Sequence, residues 1–263
     1  MITFDWGVFF NYINPITMAR QPLIWSGLLA TIIIAVLSQL IGTAIGVAAA
    51  LVKLSKIAPL RWLVNAYVTY FRGTPLVVQF VLIFFGSSAI GLYGFPTLEV
   101  AGILIPGWMQ AAILGLSLNE GAYMAEIIRS GILGVDSGQL EAARALGMTT
   151  PRAYRHVVLP QAAVLVLPPL GNEFNGMIKS TSLVVVIGGA DLFNAFEQLN
   201  ARLFQPFELF LAVSVYYLVL TLLWGLVQNA IERRLGRSKR TLLTPPRRGY
   251  LGLSPFGVKN VSE

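Results

Sequence analysis

The sequence has no cysteine, one histidine and only 12% charged residues, and each shortage excludes something. Without cysteine, neither a disulfide framework nor a thiolate metal site can form, and the redox compartment is not legible by that route. The lone His156 has no nearby ligand set and makes no metal site. No G-x-x-x-x-G-K-S/T phosphate loop occurs, so the chain is expected neither to bind nor to hydrolyse ATP itself. Ser, His and Asp are scattered without hydrolase spacing, and catalysis is not expected. There is no strong internal repeat, no low-complexity tract and no polar linker that would divide the chain into two domains. A cleavable secretory signal is not expected either, because no basic residue precedes Arg20 and the first apolar segment is too long.

What remains is apolar. Hydrophobic residues make up 56% of the chain and the mean hydropathy is +0.70, whereas a soluble domain typically carries about 25% charged residues. The excess apolar surface needs lipid to cover it. A membrane helix requires about 20 mostly apolar residues to cross a hydrocarbon core about 30 Å thick. Five stretches meet or approach this, at about 23–52, 75–93, 106–128, 157–178 and 207–231. The third carries Glu120 and Glu126; the fourth carries Glu173 and is punctuated by prolines. The sequence therefore predicts an all-α polytopic membrane protein folded as one domain over 1–263. The segment from about Leu183 to Gln205 is too interrupted to span and is expected to fold back as short helices against the outer face.

Basic residues in short loops mark the cytoplasmic side. Lys53, Lys56, Arg61 and Arg72 lie between the first two spans; Arg129, Arg144, Arg152 and Arg155 lie between the third and fourth. A basic tail, 232–263, holding Arg233, Arg234, Arg237, Lys239, Arg240, Arg247 and Arg248, follows the fifth. These segments are expected inside, beside anionic lipid, which places the N-terminus outside and the C-terminus in the cytoplasm.

The loop at about 136–156 has its own helix chemistry. Asp136 can cap a helix with Gln139 three residues on, as in a capping box; Ala142, Ala143, Ala145 and Leu146 favour helix. Gly147 is the residue most willing to end a helix left-handed. Thr150 followed by Pro151 reads as the cap and first residue of a second short helix. Helices this short are unstable alone and must pack on something.

Glu141, Ala142, Ala143, Gly147, Val157, Leu159 and Pro160 fill the pattern E-A-A, three residues, G, nine residues, an aliphatic residue, one residue, L-P. The segment resembles the cytoplasmic coupling loop of ABC importer permeases. The resemblance implies a type I ABC importer fold in which this helix seats in a groove of a separate ATPase subunit. Ala142 and Ala143 would permit close approach, Gly147 would set the elbow, and Glu141 would cap or pair with a basic group. Without the full spacing, the same stretch would read as an amphipathic helix on the membrane surface.

Three further segments resemble permeases for polar amino acids, of the histidine and glutamine type. The first runs from Tyr70 to Leu76, with Gln79 a turn on; Thr74 and Pro75 read as a helix start, and Arg72 as either a gate or a snorkelling cation. The second, Leu118 to Ile127 followed by Arg129, holds Asn119, Glu120 and Tyr123. Ionisable groups within a span usually line a pathway or find a partner, so Glu120 is the candidate contact for a substrate ammonium group. Glu126 reads as an interfacial partner of Arg129. The third, Asn172 to Leu183, holds Lys179, Ser180, Thr181 and Ser182; Lys179 either meets a substrate carboxylate or snorkels outward. The resemblance covers about 27–234 and leaves out 238–263.

It implies a permease subunit of an ATP-driven amino-acid importer in a bacterial cytoplasmic membrane. The expected partners are a second permease copy or paralogue, ATPase subunits that carry ATP and Mg, an extracytoplasmic amino-acid-binding protein, and lipid, but no nucleic acid. No cofactor is expected in this chain. The competing reading is an ion-coupled secondary transporter with Glu120 and Glu126 as a proton relay. That class usually has internal repeats and more spans, and neither is evident.

Overall fold

The computed structural model describes residues 4–14 and 22–243, with side chains through 234. Arg20, the basic side chains beyond 234 and the tail from 244 lie outside the described residues. In chain order the elements are α1 (Trp6–Ile13), α2 (Pro22–Leu54), α3 (Ala58–Gly73), α4 (Leu76–Ala89), a hairpin of β1 (Leu98–Val100) and β2 (Ile103–Ile105), α5 (Gly107–Leu133), α6 (Ser137–Ala145), α7 (Thr150–Ile187), α8 (Leu192–Leu203) and α9 (Pro206–Leu243). The expected short outer helices appear as a 3-10 turn over Thr181–Ile187, which closes α7, and as α8.

Among the described residues, three helices, α2, α7 and α9, are long and apolar enough to cross a membrane, or four if the bent pair α3–α4 counts as one span. Helix α5 has 27 residues and is long enough, but Asn119, Glu120, Glu126 and Arg129 dilute its apolar character.

The most extensive pairing joins α2 to α5, and small residues explain it. Gly42 and Gly46 form a G-x-x-x-G step, the pattern that lets membrane helices approach backbone to backbone. A Cβ on Gly42 would lie 2.7 Å from the Glu120 side chain, and one on Gly46 would strike Met124. In return, Gly121 accepts Ile45 and the Tyr67 hydroxyl, and that hydroxyl donates to the Leu118 carbonyl at 2.6 Å. One end of the bundle is closed by Tyr12, Ile24, Leu192, Phe196 and Leu209. The other is closed by Ala50, Ile128, Ile132 and Val158, with Leu140 packed against them.

Several boundaries differ from the sequence reading. Thr74 and Pro75 do not start the second span as cap and first residue. Thr74 ends an unanticipated helix, α3, and its hydroxyl turns back to the Tyr70 carbonyl at 2.8 Å. The residue before a proline is pushed into extended backbone; Thr74, at φ −116° and ψ 147°, obeys this, and Pro75 takes the cap position of α4. The chain bends by 111° there.

The second short helix expected after α6 is not separate. Thr149, not Thr150, occupies its cap, and the helix runs on into the fourth span, so that α7 starts at Thr150, not near 157. Pro160 lacks an N–H and its ring crowds the carbonyl one turn back. The chain absorbs this in a π turn over Tyr154–Val158. The hairpin at Glu99 was also unanticipated within an all-α protein. Ala101 and Gly102 both have positive φ, the geometry that matches a two-residue turn to strand twist.

Candidate functional site

Two regions draw the candidate residues together. The first is α6. Asp136 caps it by accepting from the Gly138 N–H at 2.7 Å. At its end the Met148 N–H donates to the Ala143 carbonyl at 3.1 Å and the Gly147 N–H to the Arg144 carbonyl at 2.9 Å. Gly147 sits at φ +83°. This pair of bonds is a Schellman closure, which requires a left-handed residue. Arg144 donates to the Thr150 hydroxyl at 3.3 Å, bracing the elbow.

Helix α6 turns Leu140 and Ala143 toward its own bundle, and Ala143 is buried. Ala143 therefore holds α6 to α7 rather than offering a surface to a partner. Glu141, Ala142, Ala145 and Leu146 face outward. Leu146 is 83% exposed, a large apolar side chain with no cover. Leu159 is exposed as well, and Pro160 shapes the π turn.

The second region is the polar centre of the bundle. Glu120, 4% exposed, accepts from the Gln39 amide at 2.8 Å. It points into the α2–α5 seam, and Gln39 Oε1 and Ser117 Oγ beside it have no hydrogen-bond partner among the described residues. The Arg72 guanidinium lies over the Tyr123 ring, 5.2 Å from its centroid, and Glu173 is half-buried on α7. Sequence reasoning noted Glu173 in the fourth span without giving it a role, and it passed over Gln39. The charge within an otherwise apolar span was the signal for the former; for the latter only the facing helix reveals it.

Gln79 and Asn119 are fully engaged at the α3–α4 break. The Gln79 amide donates to the Phe71 and Thr74 carbonyls at 2.8 and 3.1 Å, and its oxygen accepts from Asn119 at 3.0 Å. Backbone groups freed by a break inside a membrane need internal partners, and these amides supply them.

Lys179 is elsewhere. With Ser182, Phe193, Phe210 and Tyr217 it lines a cavity of about 460 Å³ whose lining carries no carboxylate. Glu120 and Lys179 therefore do not meet in one pocket within this chain. Thr181 and Ser182 turn their hydroxyls to the carbonyls of Ile178 and Lys179, at 2.9 and 2.7 Å, closing the end of α7 around Ser180. Beyond it Asp191 caps α8, accepting from the Asn194 N–H and the Tyr217 hydroxyl, each at 3.0 Å. Burial pushes the Asp191 carboxyl up, and those donors oppose the rise.

Glu126 pairs with both Lys53 and Arg129, the latter at 3.0 Å. The side chains are 13%, 21% and 35% exposed for Lys53, Glu126 and Arg129, between the exposed and buried regimes. Exposed pairs contribute up to about 1 kcal/mol, and breaking buried ones costs about 3–5 kcal/mol. Glu126→Gln is expected to destabilise the chain by about 2 kcal/mol, read as a fall in the thermal midpoint of the purified protein, with Glu197→Gln, at an exposed position of α8, unchanged. An unaltered midpoint in Glu126→Gln would show that the pairs hold nothing.

An apolar helical bundle with a polar, charged centre and a capped helix standing out at one end is the build of a membrane transport subunit. Residues 42–237 match the family described as binding-protein-dependent transport system inner membrane component. The chain belongs to that family. It is 40% identical over 217 residues to the L-cystine transport system permease protein TcyB of Bacillus subtilis, covering 82% of this chain and 88% of that one. It is 36% identical to the arginine transport system permease protein ArtQ of the same organism, covering 83% and 95%. Among solved structures, an amino acid ABC transporter crystallised with histidines superposes with a TM-score of 0.73 at 39% identity, covering 84% of this chain and 98% of that chain. The MetNI methionine ABC transporter shares the fold, with a TM-score of 0.66 at 21% identity.

Proposed function

We propose that this chain is the permease subunit of an ATP-driven amino-acid importer and forms half of its translocation pathway. The observation that carries the reading is α6: capped at both ends, anchored inward by Ala143 and Leu140, and presenting Glu141, Ala142 and the bare Leu146 outward. Such a helix transmits force only if a partner grips it. The partner is an ABC ATPase subunit that carries ATP and Mg, since this sequence has no phosphate loop of its own. The transport systems named for L-cystine and arginine support an amino-acid substrate.

The spans of this reading are α2, the bent pair α3–α4, α5, α7 and α9. Lys53, Arg129, Arg144, Arg152 and Arg155 fall at the end where α2 and α5 finish, α7 begins and α6 projects, which supports a cytoplasmic position for that end. The N-terminus is then outside. The most apolar stretch of α7 is only 17% buried within the chain, yet this helix carries Asn172, Glu173 and Asn175. Polar groups in a span face a partner or a water-filled path rather than lipid. A second copy or paralogue completes the cavity, and an extracytoplasmic binding protein delivers the substrate. ATP binding favours one of two cavity orientations by its differential affinity.

Reconstitution into vesicles with the ATPase subunits and binding protein tests this. Labelled amino acids are expected to accumulate only with ATP, and an ionophore is expected to leave uptake intact. Uptake without ATP that an ionophore dissipates would instead identify an ion-coupled secondary transporter.

A further inference from the structure

We propose that the cytoplasmic end of this chain holds the phosphate headgroup of an anionic phospholipid, in a pocket between the end of α2, the start of α3 and Arg129. The proposal rests on the orientation given above. The pocket has a volume of about 510 Å³ and is lined by Lys53, Ala58, Arg61, Trp62, Asn65 and Arg129.

Its charge is one-sided. Lys53, Arg61 and Arg129 line it with no carboxylate among the lining residues, and although Lys53 and Arg129 share Glu126 behind the wall, the three cations leave a net positive charge. Arg61 has no ion-pair partner among the described residues. The start of α3 adds to the field. Its cap residue, Ile57, offers no side-chain acceptor, so the N–H groups of Ala58 and Leu60 are left at the helix mouth, where anions are favoured.

The rim identifies the source of the phosphate. Trp62 is 73% exposed, with Ile57 and Leu63 at 55% and 61%. A soluble phosphate or a departing carboxylate gains nothing from uncovered tryptophan and aliphatic side chains. A phospholipid does, because its glycerol and acyl chains cover them while the phosphate meets the cations. Tryptophan beside arginine and lysine is the composition that settles at the headgroup level. Helix α3 enters the bundle from this end, with Val64, Tyr67, Val68 and Phe71 packed on Ala49, Ala122 and Ala125 and with Trp62 and Leu63 in its first turns left uncovered.

Native mass spectrometry of the complex with its ATPase, mixed with equal amounts of phosphatidylglycerol and phosphatidylcholine, tests the site. Phosphatidylglycerol is expected to be retained preferentially. Each basic residue near an anionic headgroup is worth about fivefold in affinity, so Arg61→Gln is expected to lower that retention about fivefold, and combining it with Trp62→Ala lowers it further. Arg61→Lys is expected to keep most of it, and Arg202→Gln on α8 all of it. Equal retention of the two lipids, an unchanged Arg61→Gln, or displacement of phosphatidylglycerol by inorganic phosphate would overturn the proposal. ATP-driven uptake by the same preparations separates the two readings. Uptake with no lipid preference removes only this site, whereas lipid preference without ATP-driven uptake removes the transport reading and leaves the site standing.

Discussion

Placing a charge at position 146 is expected to uncouple transport: Leu146→Glu should lower ATP-driven uptake about thirtyfold or more while the chain still inserts and folds. Leu146 is 83% exposed, so within this subunit it has no packing to lose. If it is the apolar anchor in an ATPase groove, its loss removes about 2 kcal/mol or more, the scale of an interface hot spot, and a buried carboxylate with no partner adds to the penalty. Leu146→Met keeps the apolar volume and is expected to retain most of the uptake. The measurement is initial uptake in vesicles, together with ATPase stimulation by the permease and co-purification of the ATPase. Normal uptake by Leu146→Glu would mean that α6 does not couple through this residue. Glu141→Ala offers a graded comparison, since a rim charge contributes less.

The second large effect is expected at the α2–α5 seam. Gly46→Leu inserts a side chain where even a Cβ meets Met124. Overpacking a core costs about 1–3 kcal/mol when neighbours can give way. Here the nearest atoms include Met124 and Ala125 backbone, which cannot move without separating the helices. The variant is expected to lose most of the folded protein, read by gel filtration in detergent and by thermal midpoint. Gly225→Leu is the control, because a Cβ on Gly225 meets nothing within 4 Å. Equal yields and midpoints for the two variants would show that close approach at Gly46 is dispensable. The seam also holds Glu120 against Gln39, so a wedge at Gly46 would disturb the polar centre as well as the fold.

Much of this was legible before any coordinates. The apolar runs located α2 and α9, since only lipid or a partner can cover helices whose surfaces are so uniformly hydrophobic. Asp136 and Gly147 announced both ends of α6, because capping and left-handed closure depend on residues adjacent in sequence. The pattern from Glu141 to Pro160 carried a resemblance to ABC importer permeases, and residues 42–237 match the binding-protein-dependent transport family. The break at Pro75 was visible, but its meaning was reversed. Helix α3 has an amphipathic pattern, with Val64, Tyr67, Val68 and Phe71 on one side, and it was overlooked because basic residues at its ends suggested a loop.

The site was less legible. Glu120 stood out as a charge in a span, yet nothing adjacent in sequence reveals that Gln39 holds it, or that Lys179 lies in a pocket without a carboxylate. Likewise, Gln79 and Asn119 looked like groups free to meet a substrate until the α3–α4 bend presented them with carbonyls.

By itself the sequence determined the membrane class, the loop that projects from the bundle and the residues that cap it, because these depend on composition and on chemistry within one or two helical turns. Only the tertiary structure decided which polar groups are spent on the fold and which remain free. Hydrogen-bond and ion-pair partners in a helical bundle come from facing helices far apart in sequence, and a buried polar group is committed or available according to what those helices bring to it.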